Sequence, residues 1–484
     1  MAKEEFDAIV IGAGVSGMAV ASLLAHAGKR VGVFENMNQV GGRATSYKHK
    51  TKDGKEYISD IGGFHSMTMG DHGAFAVVYK EIGLGFDMFS KGLSAPQPGF
   101  LIFRNGKWDD MTELNKGDNR DDFKRIIAET ISIKYEDCDQ WDAISFRKWL
   151  ADRTPKQDVR DWYRAIGHVF TTICDDEEMS AGECVYTMKL NLEGMKSVSS
   201  GSLARGGSIN LTMPLVDYVR NKGGVVKFSS RVRRILTDGY AVRGVEVGEI
   251  GPEWNEGDEL DMVLAPIVVN TVPIWQINEL FPDGELPHWF ARLVESYRNP
   301  DILTSIRFGS VNQAFVVSKK ALENMKYGGK EHRVAFDMPN TGGTHQGAIV
   351  GAIDPAQSAG DTFDFHFGAM GLNPEVLKDK KTRESMFVAL RKDLEAMYPE
   401  IIPHIVRESE PRASTGRYGV VDGLARMPYY TGNFRIDHAG PFDGLYFAGD
   451  TVRARGCGID CAVRSAVWCF NKIMGENLPT FIAA

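Results

Sequence analysis

The chain has little cysteine for its length. It has 484 residues and six scattered cysteines, which are Cys138, Cys174, Cys184, Cys457, Cys461 and Cys469. In a chain of this size the pattern fits a reduced protein better than a disulfide framework, so we expect a cytoplasmic location. Cys457 and Cys461 are spaced C-x-x-x-C, but no cluster of histidine or cysteine completes a metal site. The sequence therefore predicts no bound metal.

The chain also lacks an excess of positive charge. Lysine and arginine total 56 against 64 aspartate and glutamate residues, which gives a net charge of −8. This balance argues against nucleic acid or an anionic membrane as the main partner. A single uncharged stretch, residues 8–25, approaches membrane length. We therefore expect no integral membrane segment and at most peripheral membrane contact, whereas the oligomeric state stays open.

The uncharged stretch contains the spacing G-x-G-x-x-G at Gly12, Gly14 and Gly17. Three glycines weaken a membrane helix, and the preceding "MAKEEFD" is too acidic for a signal peptide. The stretch divides better into a buried strand, a helix from Val15 to a stop at Gly28, and a second strand. Such a strand–helix–strand unit around a glycine turn predicts a dinucleotide site.

The residues that follow extend this site. Glu35 ends the second strand about 20 residues after the glycines, where an acidic side chain binds ribose hydroxyls in such units. The pair Gly41-Gly42 allows a close approach of the backbone, and the guanidinium of Arg43 suits a pyrophosphate. Ser16, within the glycine turn, is included among the predicted cofactor-binding residues.

Taken together, these motifs resemble those of the flavin amine oxidase and phytoene desaturase superfamily, whose members carry FAD. Two later segments, 206–235 and 443–475, fit the same family. The resemblance implies an α/β fold with a Rossmann-like FAD-binding domain interleaved with a mixed α+β substrate domain. Its shared motifs are Gly12-x-Gly14-x-x-Gly17, Glu35, Gly41-Gly42-Arg43 and Asp60-x-Gly62-Gly63.

The resemblance also implies roles for single residues. Val232 would border the adenine, and Asp450, after the strand that leads to Gly449, would hold the ribityl chain. The loop with Gly62 and Gly63 would pass the flavin. A C-terminal helix would begin at Gly458, Ile459 and Asp460 and direct its positive end at the flavin edge, where charge gathers on reduction.

The cofactor residues come from three separated segments. We therefore expect a discontinuous FAD-binding domain of 1–90, 200–272 and 410–484, with a substrate-binding domain formed by 91–199 and 273–409. The first insert reads as helical. The second reads as strands, such as 305–310, 313–318 and 347–353, with one helix within 384–399.

The reaction class depends on comparison within the family. No second G-x-G-x-x-G follows a strand, so no dedicated nicotinamide domain is predicted, and electrons would pass from an organic substrate to oxygen or another acceptor. Amine oxidases of the family typically place a caging aromatic residue where this chain has Gly458, and a lysine near the flavin, where residues 272–280 have none. Desaturases have small residues at that helix start.

The sequence thus favours a desaturase or dehydrogenase that passes a hydride from a carbon skeleton to the flavin. The expected substrate is a small or medium apolar molecule, such as a cyclic ketone or a compound resembling an isoprenoid or carotenoid. Two alternatives stay open: an isomerase or hydratase without net redox change, and an amine oxidase. Candidates for proton transfer or substrate binding are Tyr430, His65 and Arg455, each of which also has a purely structural reading.

Overall fold

The structure is a computed structural model, and it describes most of the chain. The described residues are 4–50, 54, 56–61, 70–85, 99–113, 116–194, 204–251, 256–282, 284–297, 309–414, 431–456 and 458–482.

Twenty strands lie within these described residues. They are β1 Glu4–Glu5, β2 Ala8–Ile11, β3 Val31–Phe34, β4 Thr45–Lys50, β5 Glu56–Ile61, β6 Phe100–Arg104, β7 Lys107–Asp110, β8 Val225–Lys227, β9 Ser230–Thr237, β10 Val242–Ile250, β11 Glu256–Leu264, β12 Val268–Asn270, β13 Gly309–Ser318, β14 His332–Ala335, β15 His345–Gly347, β16 Ser358–Ala359, β17 Thr362–Leu372, β18 Ile405–Glu408, β19 Arg412–Ser414 and β20 Leu445–Phe447.

The same described ranges contain twelve α-helices, supplemented by short 3-10 turns. The helices are α1 Val15–His26, α2 Ala74–Glu81, α3 Arg120–Ser132, α4 Phe146–Ala151, α5 Gln157–Thr171, α6 Ala181–Gly194, α7 Met213–Asn221, α8 His288–Ser296, α9 Val350–Ile353, α10 Pro374–Lys378, α11 Lys380–Met397 and α12 Gly458–Met474.

A five-stranded parallel sheet forms the centre of the fold, in the order β20-β12-β2-β3-β8. Its strands are short and mostly apolar because they are buried on both faces, as in the sequence AIVI of β2. One face packs on α1, α2, α7 and α12, and the other on residues of β9, β10 and α8. Numbered along the chain, the strand order is 3-2-1-4-5, which is the order of dinucleotide-binding folds.

Two further sheets are formed mainly by the two inserts. One has the order β16-β17-β13-β18, with β19 beside β13, and it packs its apolar face on α11. The other has the order β15-β14-β6-β7, in which β6 pairs in parallel with β14. Because β6 lies in the first insert and β14 in the second, the two inserts share a sheet.

The predicted mixed α/β fold is confirmed, and most predicted elements are found. The helix from Val15 ends before Gly28, and the C-terminal helix begins at Gly458 and ends before Gly475. Both terminal glycines have positive φ, +83° at Gly28 and +69° at Gly475, which is the conformation expected after a helix. The predicted domain boundaries stay a prediction.

Two expectations about the inserts are wrong. Residues 347–353 do not form one strand, because β15 ends at Gly347 and α9 follows it. The first insert is not wholly helical, since it contains the hairpin of β6 and β7. Its turn, Asn105–Gly106, has φ of +53° and +76°, and an Asn-Gly pair is a strong hairpin signal.

Candidate functional site

The carboxyl ends of the central parallel strands meet at one edge of the sheet. Gly12 follows β2, Glu35 follows β3, Thr271 follows β12, and Ala448 with Gly449 follows β20. In open α/β sheets ligands bind outside this edge, where the strand order reverses. Here the reversal falls between β2 and β12. The predicted cofactor residues at the two ends of the chain are therefore brought together.

The glycine turn after β2 is packed so tightly that it excludes side chains. A Cβ atom at Gly17 would lie 2.0 Å from the carbonyl oxygen of Gly12. At Gly12, where φ is +98°, a Cβ atom would lie 2.9 Å from Oγ1 of Thr271. Glycine at these positions lets α1 approach the strand closely, and side chains at either one would clash with backbone or neighbour.

Gly14 differs from its neighbours because space is left beside it. A Cβ atom there would meet nothing within 4 Å. Gly14 is also the N-cap of α1, without a side-chain cap and without an acidic residue in the first turn, which includes Ser16. The first-turn N–H groups thus face an open, uncapped helix terminus, which is suited to an anion such as a pyrophosphate. The site therefore fits a dinucleotide.

The loop of Gly41 and Gly42 lies over this turn. The N–H of Gly41 donates to the carbonyl oxygen of Ala13 at 2.9 Å. A Cβ atom at Gly42 would lie 3.3 Å from Cα of Gly14, and φ there is +57°. The Gly41-Gly42 loop therefore lies directly against the glycine turn, while its approach to a pyrophosphate stays a prediction.

Glu35 is buried at the end of β3. Its Oε2 accepts from the N–H of Ala13 at 2.6 Å, and its Oε1 accepts from the N–H of Met37 at 2.8 Å. Burial raises the pKa of Glu35, while the backbone hydrogen bonds oppose that rise. A carboxylate has lone pairs beyond those two bonds, so it can also accept from ribose hydroxyls.

The N–H of Ser230 donates to the carbonyl oxygen of Glu35 at 2.8 Å. This bond places the start of β9 beside the acid. Val232, two residues further on, is only 3% exposed and packs with Phe34 in one hydrophobic cluster. The predicted adenine-bordering residue is thus brought close to the predicted ribose-binding residue, while its contact with adenine stays a prediction.

Arg43 and Asp450 are separated by more than 400 residues but form an ion pair. Nη2 of Arg43 lies 2.7 Å and 2.8 Å from the two carboxylate oxygens of Asp450. Gly449, before the acid, has φ of +138°, and its N–H donates to Oγ of Ser465 on α12. The two residues predicted to bind the phosphate and the ribityl chain of FAD therefore contact each other at the sheet edge.

The first residue of α12 has free space beside it, whereas the side chain of its third residue makes contacts within the fold. Gly458 has φ of +65°, and a Cβ atom there would meet nothing within 4 Å. Ile459 is buried. Asp460 accepts from the N–H of Ala74 at 3.0 Å and pairs with Arg464, so its carboxylate ties α2 to α12. The predicted contact of this helix terminus with the flavin stays a prediction.

Arg455 lies in a buried ionic cluster. Its guanidinium pairs with Asp142 and Asp139, and Glu183 lies 3.8 Å away. Burial raises the pKa of Asp142 to about 6, against the lowering effect of Arg455. The carboxylate of Glu183 accepts from the N–H of Gly432 at 2.7 Å. These contacts give Arg455 a structural role that joins the first insert to the C-terminal segment; a catalytic role stays a prediction.

Four other predicted site residues, and one cysteine of the C-x-x-x-C pair, lie outside the described residues. They are Gly62, Gly63, His65, Tyr430 and Cys457. Their predicted roles therefore remain predictions. The five cysteines within the described ranges are all free, and within those ranges no group of three or more histidine, cysteine, aspartate or glutamate residues is arranged to hold a metal ion.

A polar group on β17 was not predicted from the sequence. Oδ2 of Asp364 lies 2.6 Å from Nε2 of His366 and accepts from the hydroxyl of Ser59 on β5. A signal was present, because "TFDFHFGA" alternates buried phenylalanine with other residues, which is typical of a strand with one buried face.

The strand order, the glycine turn and the buried acid at the sheet edge define a dinucleotide-binding protein of the Rossmann type. Comparison with known families narrows this class. The family described as flavin containing amine oxidoreductase matches residues 15–468. The chain belongs to this family, as its motifs predicted. It is an FAD-dependent oxidoreductase.

Three curated relatives illustrate the family's range. The chain is 23% identical to hydroxysqualene dehydroxylase of Zymomonas mobilis over 60% of this chain and 67% of that protein. It is 24% identical to 15-cis-phytoene desaturase of Solanum lycopersicum over 49% of this chain and 45% of that protein. It is 29% identical to amine oxidase B of Bos taurus over 72% of this chain and 65% of that protein.

Solved structures share the fold. An oxidoreductase from Methanosarcina mazei superposes with a TM-score of 0.69 at 16% identity, over 97% of this chain and 100% of that one. A putrescine oxidase superposes with a TM-score of 0.62 at 16% identity, over 98% and 100%. Among the described residues, no helix combines the length and apolar character that a membrane span requires.

Proposed function

We propose that the protein is a desaturase or dehydrogenase that removes a hydride and a proton from adjacent carbons of an apolar substrate. Two curated relatives named above, the phytoene desaturase and the hydroxysqualene dehydroxylase, carry names for reactions on such carbon skeletons. Bound FAD supplies the two-electron acceptor for the hydride. The electrons then leave to oxygen or another acceptor.

The observation that carries this proposal is the open start of α12. Among the described residues, nothing lies within 4 Å of a Cβ atom placed at Gly458, so the space that a side chain would fill is free. By the resemblance, amine oxidases place a caging aromatic residue at this position. The segment 272–280, which forms a 3-10 turn at Ile274–Leu280, also contains no lysine. An uncaged opening accommodates a substrate broader than an amine side chain.

The chain's own residues have separate tasks in this proposal. The turn at Gly14 and the first turn of α1 bind the pyrophosphate, and Glu35 binds the ribose. The pair of Arg43 and Asp450 lies at the phosphate and ribityl side. Tyr430 or His65 takes the substrate proton or binds a substrate oxygen. The segments 1–90, 200–272 and 410–484 form the FAD-binding domain, and the two inserts form the substrate-binding domain.

A second candidate, amine oxidation, has support from the bovine amine oxidase and the putrescine oxidase among the similar proteins. Anaerobic mixing of the holoprotein with separate substrates distinguishes the candidates. We expect a cyclic ketone or an isoprenoid to bleach the visible absorbance of the flavin, and benzylamine or putrescine to leave it unchanged.

Each other result has a defined meaning. Bleaching by an amine with release of ammonia would establish amine oxidation instead. Conversion of the substrate without bleaching and without an electron acceptor would establish an isomerase or hydratase. Tyr430→Phe and His65→Ala should each slow anaerobic bleaching by about 100-fold if the residue transfers the proton, while FAD stays bound.

A further inference from the structure

The two faces of β17 differ in character. Phe363, Phe365 and Phe367 are buried and pack in the cluster that contains residues of α11. Because side chains alternate along a strand, Asp364 and His366 lie on the opposite face. The side chain of His366 is 45% exposed, and that of Asp364 is 10% exposed. The opposite face is therefore polar and only partly covered.

This polar face is directed at the segment that carries a predicted flavin motif. Asp364 accepts from the hydroxyl of Ser59, which lies on β5. β5 runs on to Asp60, the first residue of the motif Asp60-x-Gly62-Gly63. Its partner strand β4 begins at Thr45, two residues after Arg43. The polar face of β17 is thus connected by one hydrogen bond to the strand pair that begins beside Arg43 and leads to the predicted flavin motif.

The register of the neighbouring strands describes the surface around His366. On β13, Ala314 lies opposite His366. One step along, Asp364 pairs with Val316, which pairs in turn with Arg407 of β18.

One step in the other direction, Gly368 pairs with Asn312, which pairs with Arg412 of β19. Directly opposed residues share a face. On this face Ala314 adjoins His366, whereas Val316 and Asn312 separate β17 from the two arginines, which lie two strand spacings away, roughly 10 Å.

The electrostatic setting of His366 favours its charged form. Burial, the largest influence, would lower the pKa of His366, but the hydrogen bond and charge of Asp364, with the charge of Asp60, raise it above 6.5. In turn, His366 and the charge of His49 on β4 lower the pKa of Asp364 against its burial. The pKa of Tyr57 on β5 is raised, chiefly by burial. The charge of Asp364 also raises it, and the charge of Arg407 lowers it. With His366 charged, the cationic side chains on this face are His366, Arg407 and Arg412.

We propose that His366, oriented by Asp364, binds the oxygen of the substrate, and that the substrate is therefore an apolar molecule with a carbonyl or carboxylate group rather than a hydrocarbon. Nε2 of His366 is turned to Asp364, so the protonated ring has Nδ1–H as its second donor. The short side chain of Ala314, opposite His366, leaves room for the apolar body beside the ring. This inference deepens the proposed function and rests on it.

The test uses ligand binding to the holoenzyme and needs no turnover. Benzoate is the oxygen-bearing probe, and toluene is the matched hydrocarbon; binding is measured by perturbation of the visible flavin spectrum. We expect benzoate to bind more tightly than toluene. His366→Gln should weaken benzoate binding by about tenfold or more, because a charged hydrogen bond is lost, and leave toluene binding unchanged.

The pH profile separates this role from a structural one. In the wild type, benzoate binding should weaken as the pH rises through the pKa of His366, and this step should be absent in His366→Gln. Asp364→Asn should move the step to lower pH. His288→Gln, on the exposed start of α8, is the matched control and should behave as the wild type. A merely structural pair would shift FAD content or melting temperature without this step.

Each outcome is decisive. Equal benzoate affinity and an equal pH profile in the wild type and His366→Gln would overturn the inference, and so would the absence of benzoate binding to the wild type. Failure of any carbon substrate to bleach the flavin would contradict dehydrogenation but leave the benzoate result intact. The two proposals therefore fail separately.

Discussion

The cofactor edge of the central sheet is formed mainly by backbone, whereas the polar face of β17 is formed by side chains. At the sheet edge, backbone dominates: Gly12 and Gly17 set the approach of strand and helix at distances that no side chain tolerates. On β17, side chains dominate, through the contacts of His366 and Asp364. Binding of a common cofactor depends on the shared backbone frame, whereas selection of a particular substrate depends on side chains that a strand can exchange without altering its course.

The largest effect is expected at Gly17, where the glycine turn after β2 is packed most tightly. Gly17→Ala places a Cβ atom 2.0 Å from the carbonyl oxygen of Gly12, so α1 must move away from β2. We expect a loss of about 3 kcal/mol or more in the free energy of unfolding, with loss of FAD. Chemical denaturation and the FAD content of the purified protein measure it.

The matched variant is Gly14→Ala. Its φ of −68° suits alanine, and a Cβ atom there has nothing within 4 Å. The apoprotein should keep its stability, and FAD affinity alone should fall, because the methyl group enters the space assigned to the pyrophosphate. Equal losses of stability in the two variants would contradict the distinction between a packing glycine and a binding glycine.

Glu35→Ala comes next in size. It removes a buried acceptor of two backbone N–H bonds and the predicted partner of the ribose. We expect FAD affinity to fall by about 1–3 kcal/mol. Fluorescence titration of the apoprotein with FAD gives this value, and Glu35→Gln, which keeps one acceptor, should lose less. Unchanged FAD affinity in Glu35→Ala would remove Glu35 from the site.

The inserts should differ from the cofactor edge in how acid affects their stability, because three histidines are buried in the inserts. Burial lowers the pKa of His332 to about 3 and those of His168 and His345 to about 4. The folded protein holds these rings neutral, but the unfolded chain binds protons below about pH 6.5. Stability therefore falls as the pH drops from about 6.5 towards 4, by about 1.4 kcal/mol per pH unit for each histidine.

His332→Phe tests this dependence. His332 stacks on Phe100 with ring centroids 5.6 Å apart, so phenylalanine preserves the packing. At pH 5 the variant should be less destabilised, relative to pH 7, than the wild type by about 2 kcal/mol. Urea unfolding at the two pH values measures it, and the exposed His288→Gln should show no difference. Equal pH dependence in the wild type and His332→Phe would mean that the ring is protonated in the folded state.

The smallest effect is expected at Gly458. Alanine there has no steric conflict, but φ of +65° costs about 1 kcal/mol for a residue with a Cβ atom. FAD should stay bound, and the affinity for a bulky substrate should fall, because the methyl group enters the opening at the start of α12. Unchanged substrate affinity would place the substrate elsewhere and weaken the case against an amine cage.

Local patterns could be predicted from the sequence, whereas contacts between distant segments could not. The glycine spacing and Glu35 lie within one strand–helix–strand unit, so local pattern was sufficient to predict their arrangement. Asp450 and Arg43 were predicted separately, and only the parallel sheet reveals their ion pair. The partners of Arg455 lie on the first insert, at Asp139 and Asp142, and no local pattern indicates a contact across 300 residues.

The polar face of β17 was missed for a related reason. Alternation alone predicts a strand there, but the meaning of His366 depends on the register of β13 and on a hydrogen bond from Ser59. At α9 a strand was predicted where the structure has a helix, because a short apolar run fits a strand as well as a helix turn.

The strand order of the central sheet has a consequence for how the protein is made. β12 lies between β2 and β20, so the sheet receives its fifth strand only after the ribosome has synthesised residue 447. Asp450 and α12 emerge later still. A growing chain that already contains the glycine turn and Glu35 therefore still lacks the predicted cofactor residues of the C-terminal segment. The apolar strand β12 also has an unpaired edge during synthesis. We therefore expect FAD to bind only after the C-terminal segment has been synthesised.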